Sequence, residues 1–262
     1  MPTTSPLRPD YGIDAPRAVS VLIFLSTIGV GGAALLYALV PNHPPVVVMI
    51  ALALAVVAAD LLIVAAAMLW YSRVGKMRQR DRLLDLIVWC GDERVLDVGC
   101  GRGLLLIGAA QRVHTGTATG VDIWSGIDLS GNRPEATLEN ARRAGLADRI
   151  EVQDADAQRL PFADASFDVV VSSLVLHNIP SREGRQQAVR EIARVLKPGG
   201  QVALLDLRHT GDYVRVLRQG GLPDARRSPA GLFLTWLFPL CTCGAICFFR
   251  VTGKKSAENR AE

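Results

Sequence analysis

Two long apolar runs open the hydropathy pattern of this chain. From Val19 to Val40 no position is ionisable, and from Val46 to Tyr71 the single exception is Asp60. Each run reaches the roughly 20 residues needed to cross a hydrocarbon core of about 30 Å. Between them Pro41-Asn42-His43-Pro44-Pro45 cannot continue a helix. The pattern predicts a transmembrane hairpin over 19–71, with spans of about 19–40 and 46–70 and a tail of 1–18 ahead of it. A cleaved signal peptide would need a basic start and a shorter apolar core, and a second long run follows at once. Two buried soluble helices are the other reading, disfavoured by length and composition. Counted outward from the turn, Asp60 falls level with Ser26 and Thr27 near mid-membrane. That position predicts a bond from Asp60 to one of those hydroxyls, with a helix of another chain as the competing partner.

Beyond the hairpin the period changes. A basic linker and lead-in helix are expected over 72–92, where Leu83, Leu84, Ile87 and Val88 follow helical spacing between Asp81 and Cys90. Short Val/Leu/Ile-rich segments then alternate with amphipathic ones. Strands are expected at Arg94–Val98, Ala118–Asp122, Arg149–Gln153, Phe167–Ser172 and Gln201–Asp206, and helices at Gly103–Arg112, Pro134–Ala144, Arg182–Leu196 and Asp212–Gln219. Such alternation gives a doubly wound, mostly parallel α/β sheet covered on both faces. The domain should run over 93–255, followed by a tail of 256–262. Gly231–Phe249 carries no charge and has the length of a third span, but Pro239 and Gly244 interrupt it and basic residues flank both ends. A membrane-facing insertion leading into a last strand is the favoured expectation there, over a third span.

The first predicted strand runs into Asp97-Val98-Gly99-Cys100-Gly101-Arg102-Gly103 and then Leu104-Leu105-Leu106-Ile107. Glycines at alternate positions let backbone approach a ligand closely, and the helix that follows turns its unpaired N–H groups to the same spot. Taken alone, the glycines also fit an ordinary turn. Asp97 ahead of them would repel a phosphate and attract an ammonium, which argues against a dinucleotide loop.

This D-x-G-x-G-x-G loop resembles that of class I S-adenosylmethionine-dependent methyltransferases, of the methyltransferase type 11/25-like kind. Four further blocks are similar to that family in the same order: Thr119-Gly120-Val121-Asp122, Asp154-Ala155-Asp156-Ala157, Ser166–Ser173, and Val195–Gly200 before Gln201–Asp206. The resemblance implies a Rossmann-like sheet of seven strands, closed by an antiparallel strand near Phe248–Lys255, with S-adenosyl-L-methionine as cofactor. It places Asp97, Gly99, Gly101 and Gly103 at the loop, Asp122 and Ile123 at the ribose, Asp156 and Ala157 at the adenine with Asp154 as fallback, and Ser173 beside the cofactor after the fourth strand.

The acceptor side is less legible. His177, in Ser172–Asn178, could take a proton from a hydroxyl nucleophile, or could be a shaping or helix-end residue. No Asn-Pro-Pro-Tyr-like tetrapeptide follows the fourth strand, which by the resemblance points away from DNA adenine and protein glutamine acceptors. The long connection Trp124–Asn132 is a candidate acceptor lid, and Trp124 could stack on adenine or pack in the core.

Charge and cysteine content refine this. The net charge is +4, and Arg73, Lys76, Arg78, Arg80 and Arg82 crowd the exit of the second run, whereas the hairpin turn carries only His43. The bias predicts a multi-pass protein of the cell membrane with the methyltransferase domain on the cytoplasmic side, the basic cluster resting on anionic headgroups. No basic stripe with interleaved aromatics suggests nucleic acid. The cysteines show no paired CxxC spacing, and Cys241-x-Cys243-x3-Cys247 has no nearby His or acidic residue, so neither a disulfide framework nor a metal is expected. The expected function is a membrane-anchored methyltransferase acting by in-line displacement on a small or lipid-soluble acceptor. The alternatives are a tethered S-adenosylmethionine sensor or scaffold without turnover, and a domain that binds another nucleotide.

Overall fold

The computed structural model describes residues 8–231 and 247–257. Most of the uncharged run at 231–249, with Cys241 and Cys243, lies outside the described residues.

Helices α1 (Pro16–Leu39) and α2 (Pro45–Trp70) form an antiparallel hairpin, and both are long and apolar enough to cross a membrane. Their large side chains, Phe24, Leu35, Met49 and Leu52 among them, are exposed. The buried positions Val19, Ser26 and Ala33 recur every seven residues on α1, as Ala58 and Ala65 do on α2. This is the spacing of a left-handed helix seam built on small residues. A Cβ added to Gly29 would lie 3.0 Å from the Cβ of Ala58, so a larger residue would push the helices apart.

The hydroxyl of Ser26 donates to the Ala58 carbonyl at 2.7 Å, and that of Thr27 to the carbonyl of Ile23 at 2.9 Å. Asp60 therefore does not meet either hydroxyl; it is exposed on the hairpin's outer side. The expected depth is right to two residues and the face is wrong, because two residues turn a helix by roughly 200°.

Nor does α2 end in a linker. It passes through a π-helical turn, Tyr71–Gly75, into α3 (Lys76–Leu84). Gly75 permits this: a Cβ there would sit 2.7 Å from the Tyr71 ring. The lead-in helix thus starts and stops earlier than its apolar spacing suggested. The basic cluster divides too, with Arg73, Arg78 and Arg82 exposed, Lys76 buried and Arg80 drawn against the protein.

The domain is a seven-stranded sheet of order β3-β2-β1-β4-β5-β7-β6. Strands β1 (Arg94–Val98), β2 (Thr117–Asp122), β3 (Ile150–Asp154), β4 (Phe167–Ser173) and β5 (Leu196–Asp206) run parallel, and β7 (Phe249–Lys254) is antiparallel to β5 and to β6 (Arg226–Pro229). The expected closing strand is present. β6 was not expected, since Arg-Arg-Ser-Pro has no apolar alternation; its pairing with β7 makes it a strand.

Side chains alternate across the sheet as strand geometry requires. Val95, Val169 and Ala203 face a core shared with α3, α4 (Leu104–Ala110) and α5 (Pro134–Arg143), while Leu96, Val170 and Leu204 face one shared with α6 (Arg182–Val195) and α7 (Thr210–Gln219). Gly103 is not the first residue of α4, because its φ of +84° puts it outside the helix. Strand order reverses between β1 and β4, which opens a crevice at their carboxyl ends.

Cysteines placed at positions 26 and 58 should crosslink within one chain, and a pair at 26 and 60 should not. The reverse outcome would refute the seam.

Candidate active site

The crevice begins at the glycine loop. Gly99, Gly101 and Gly103 all have positive φ, and a Cβ on Gly99 would fall 2.2 Å from Val175. The amides of Gly99 and Cys100 both donate to the Val121 carbonyl at the end of β2, at 2.7 and 3.0 Å. From the far side α5 holds the loop, Thr137 donating to the Gly101 carbonyl at 2.5 Å and Asn140 to that of Arg102 at 2.9 Å.

Asp122 closes the circuit. Its Oδ2 accepts the Gly101 amide at 2.8 Å, and its Oδ1 accepts the Trp124 amide at 2.6 Å and the Asn132 side chain at 3.2 Å. Each oxygen has two lone-pair sites, so acceptor capacity remains towards the cavity.

Asp97 is the anomaly. It is 1 % exposed, and neither carboxylate oxygen has a hydrogen-bond partner among the described residues. Burial pushes its pKa up to about 8, opposed by the Leu106 amide and augmented by the Asp122 charge. Burial likewise pushes the Cys100 thiol well up, with Asp97 and Asp122 adding to it.

Asp97, Gly99, Gly101, Asp122, Ile123, Asp156, Ala157, Ser173 and His177 all line one cavity of about 930 Å³. Gly103 does not; it faces Thr137 and Ile107 as the turn before α4. Of the two adenine candidates, Asp156 lines the cavity, while Asp154 bonds the indole Nε1–H of Trp124. Trp124 packs against the core and does not line the cavity, which supports the core reading. Ile123, beside Asp122, is 70 % exposed into the crevice and offers an apolar face. The Trp124–Asn132 connection does border the cavity, through Ser125, Ile127, Leu129 and Asn132.

Two parts of the site escaped sequence reasoning. The first is a strap ahead of α1. Asp10 pairs with Arg102 at 2.8 Å and exchanges bonds with Asn140, Ile13 exchanges bonds with Ser130, and Ala15 donates to Asp128. Lys76 Nζ secures it, donating to the carbonyls of Tyr11 and Gly12 at 2.8 and 2.7 Å beside Asp14 at 3.4 Å. No motif announces this, and Lys76 reads in sequence as one more residue of a basic run. The second is Asp206, at the end of β5, whose Oδ1 bonds Nδ1 of His177.

The fold is the Rossmann-like one of class I methyltransferase domains. Residues 96–204 match the family described as methyltransferase domain. The chain is 37% identical over 151 residues to 27-O-demethylrifamycin SV methyltransferase of Amycolatopsis mediterranei, covering 57% of this chain and 50% of that one. It is 36% identical over 120 residues to the ubiquinone/menaquinone biosynthesis C-methyltransferase UbiE of Geotalea daltonii, covering 46% and 48% respectively. The chain thus spans about half the length of these relatives. A solved geranyl diphosphate C-methyltransferase from Streptomyces coelicolor, in complex with S-adenosyl-L-homocysteine, superposes with a TM-score of 0.55 at 15% identity over 72% of this chain and 82% of that one, a likeness of fold.

The Asp97 environment predicts a pH dependence of the ligand-free protein. Its acid pKa is 3.8 in an open chain and about 8 in the fold, so the folded state holds the extra proton within that window. Stability therefore declines as pH rises from about 4 to about 8, and the full cost is present above it. Asp97→Asn, uncharged and of equal shape, should melt about 4–8 °C above the wild type near pH 8.5, roughly 2 kcal/mol at this size, and match it near pH 4. Equal melting at both pH values would contradict the buried, unpartnered carboxylate.

Proposed function

We propose that the chain is a membrane-anchored S-adenosylmethionine-dependent methyltransferase whose acceptor is lipid-soluble. One observation carries this reading. The cavity that holds Asp97 and Asp122 continues without a break to Ala18 on α1, Met68 on α2 and Tyr71 in the π-helical turn. Its volume lies near the top of the roughly 300–1,000 Å³ range of small-molecule sites, enough for a cofactor and a second ligand. An acceptor dissolved in the bilayer would reach the glycine loop along the base of the hairpin, whereas a water-soluble one gains nothing from that wall. The relatives named for rifamycin and quinone methylation are consistent with a small apolar acceptor.

The residues present fit the cofactor. Asp97, buried without a partner and protonated while the cavity is empty, would give up that proton to pair with an ammonium group, and the loop amides and Asp122 face the same space. In this reading Asp97 holds the amino acid end, Gly99 and Gly101 admit its backbone-close approach, and Asp122 binds the ribose hydroxyls. Ile123, Ala157 and Asp156 take the adenine, and Ser173 borders the reacting end. S-adenosylmethionine supplies an already activated methyl group on a sulfonium. The chain's own work is then to align the acceptor with that methyl and to exclude water, which Leu105, Leu174, Leu205 and Phe248 do along the cavity wall. The hairpin would place both termini and the domain on the cytoplasmic side, with Arg73, Arg78 and Arg82 at the headgroups.

Asp122→Ala should weaken S-adenosylmethionine binding to the full chain at least tenfold by calorimetry, since charge-assisted bonds of roughly 1.5–3 kcal/mol are lost. Unchanged affinity would remove the ribose assignment. For the acceptor, membranes carrying the protein are incubated with methyl-labelled S-adenosylmethionine. Label should enter the organic extract, and label confined to water-soluble products would reject a lipid-soluble acceptor.

A further inference from the structure

The opposite wall of the cavity carries an arrangement that the cofactor does not require. Asp206 is 2 % exposed and does not line the cavity; His177 does, so the imidazole stands between the two. Four donors converge on the Asp206 carboxylate. Oδ1 takes the Leu207 amide at 2.8 Å and His177 Nδ1, while Oδ2 takes the His177 amide at 3.1 Å and the Tyr213 hydroxyl at 3.2 Å. A carboxylate already receiving two backbone N–H groups and a phenol is an acceptor towards the ring as well, so Nδ1 carries the proton and Nε2 the lone pair. Backbone holds the ring in the same place: Leu174 donates to the Leu205 carbonyl at 2.8 Å, and Leu176–Asn178 form a 3-10 turn. A histidine that only shaped the cavity would not need its tautomer fixed by a buried carboxylate, itself fixed by three other donors.

From this arrangement we infer that His177 is the general base of the transfer, Asp206 is its positioning residue, and the acceptor is methylated on oxygen. The inference rests on the proposed methyltransferase activity and adds the acceptor atom to it. Nε2 takes the proton of the acceptor hydroxyl. The oxygen forms its bond to the methyl carbon as the carbon–sulfur bond breaks, and that bond's electron pair stays on sulfur. The sulfonium becomes a neutral thioether, the acceptor becomes a methyl ether or ester, and the proton resides on His177 until water removes it. A base aligned in this way contributes about 10²–10⁴-fold.

The test uses the full chain in nanodiscs and has two readings. Nitrogen-15 spectra of histidine-labelled protein, with the His177 signals assigned by their loss in His177→Gln, should show a protonated Nδ1 and an unprotonated Nε2 without any ligand. Asp206→Asn should disturb that tautomer, since the amide's own NH₂ must face a donor; Tyr213→Phe should leave it in place. A wild-type ring protonated at Nε2 overturns the inference whatever the activity. The second reading takes the methyl-labelled extract of wild-type membranes and treats it with hot hydriodic acid, which releases O-methyl groups as volatile methyl iodide and leaves C-methyl groups behind. Release of the label is expected, together with a loss of at least about 100-fold in His177→Ala at unchanged S-adenosylmethionine affinity, partly restored by added imidazole. Label in the lipid phase that resists the acid overturns oxygen methylation while leaving the lipid acceptor standing. Acid-released label found only in the aqueous phase, after unreacted S-adenosylmethionine and methionine have been removed, does the opposite.

Discussion

The Lys76 ammonium is the pin on which the relation between hairpin and domain depends. A buried ammonium without partners would cost several kcal/mol, so its position is tolerated only because Tyr11 and Gly12 turn their carbonyls to it and Asp14 stands beside it. The same bonds bring the strap across the glycine loop, where Asp10 meets Arg102 and Asn140. Asp14 also bonds Ser72 within the π-helical turn, so the turn, the strap and the loop are fixed by one connected set of polar contacts. Removing the ammonium would leave two carbonyls and a carboxylate facing each other in a poorly solvated site. The hairpin is thereby a wall of the active-site cavity rather than a tether at a distance.

What could be read from the sequence follows from how local each signal is. The glycine loop, Asp122 and the parallel strands were legible because strand, turn and helix start lie within a dozen or so residues, where period and turn chemistry act directly. The two long apolar helices were legible by length. The contacts that failed to show are those joining distant segments: Lys76 reaches the strap, and His177 reaches Asp206. Nothing in the local pattern of Val-Gly-Lys-Met marks a buried cation. β6 failed for a related reason, since a short polar edge strand exists only through its partner.

Asp60 shows a third kind of miss. Counting residues from the turn fixes depth, because rise per residue is constant, but not azimuth, which depends on the helix–helix seam. The seam is written in small residues at seven-residue spacing, Ser26 and Ala33 against Ala58 and Ala65. Read first, that spacing would have put Asp60 on the outer side.

The division of labour in the cavity accounts for why the cofactor half of such a chain is explicit and the acceptor half is not. In the proposed reading a sulfonium cofactor has one shape, so its cradle is built from backbone: Gly99 and Gly101 at positive φ, and amides whose position a Cβ would destroy. The rest of the cavity is lined by side chains on elements that do not adjoin in sequence, namely the strap, the π-helical turn, the Ser125–Asn132 connection and the turn after β4. Each of these can change without disturbing the sheet, because none supplies a core strand. Acceptor choice is thus separated from cofactor binding, and the hairpin's apolar wall meets the polar His177–Asp206 pair across a single cavity. In the proposed reading, a ligand that meets both walls is apolar along most of its length and carries one O–H at the end that reaches the loop.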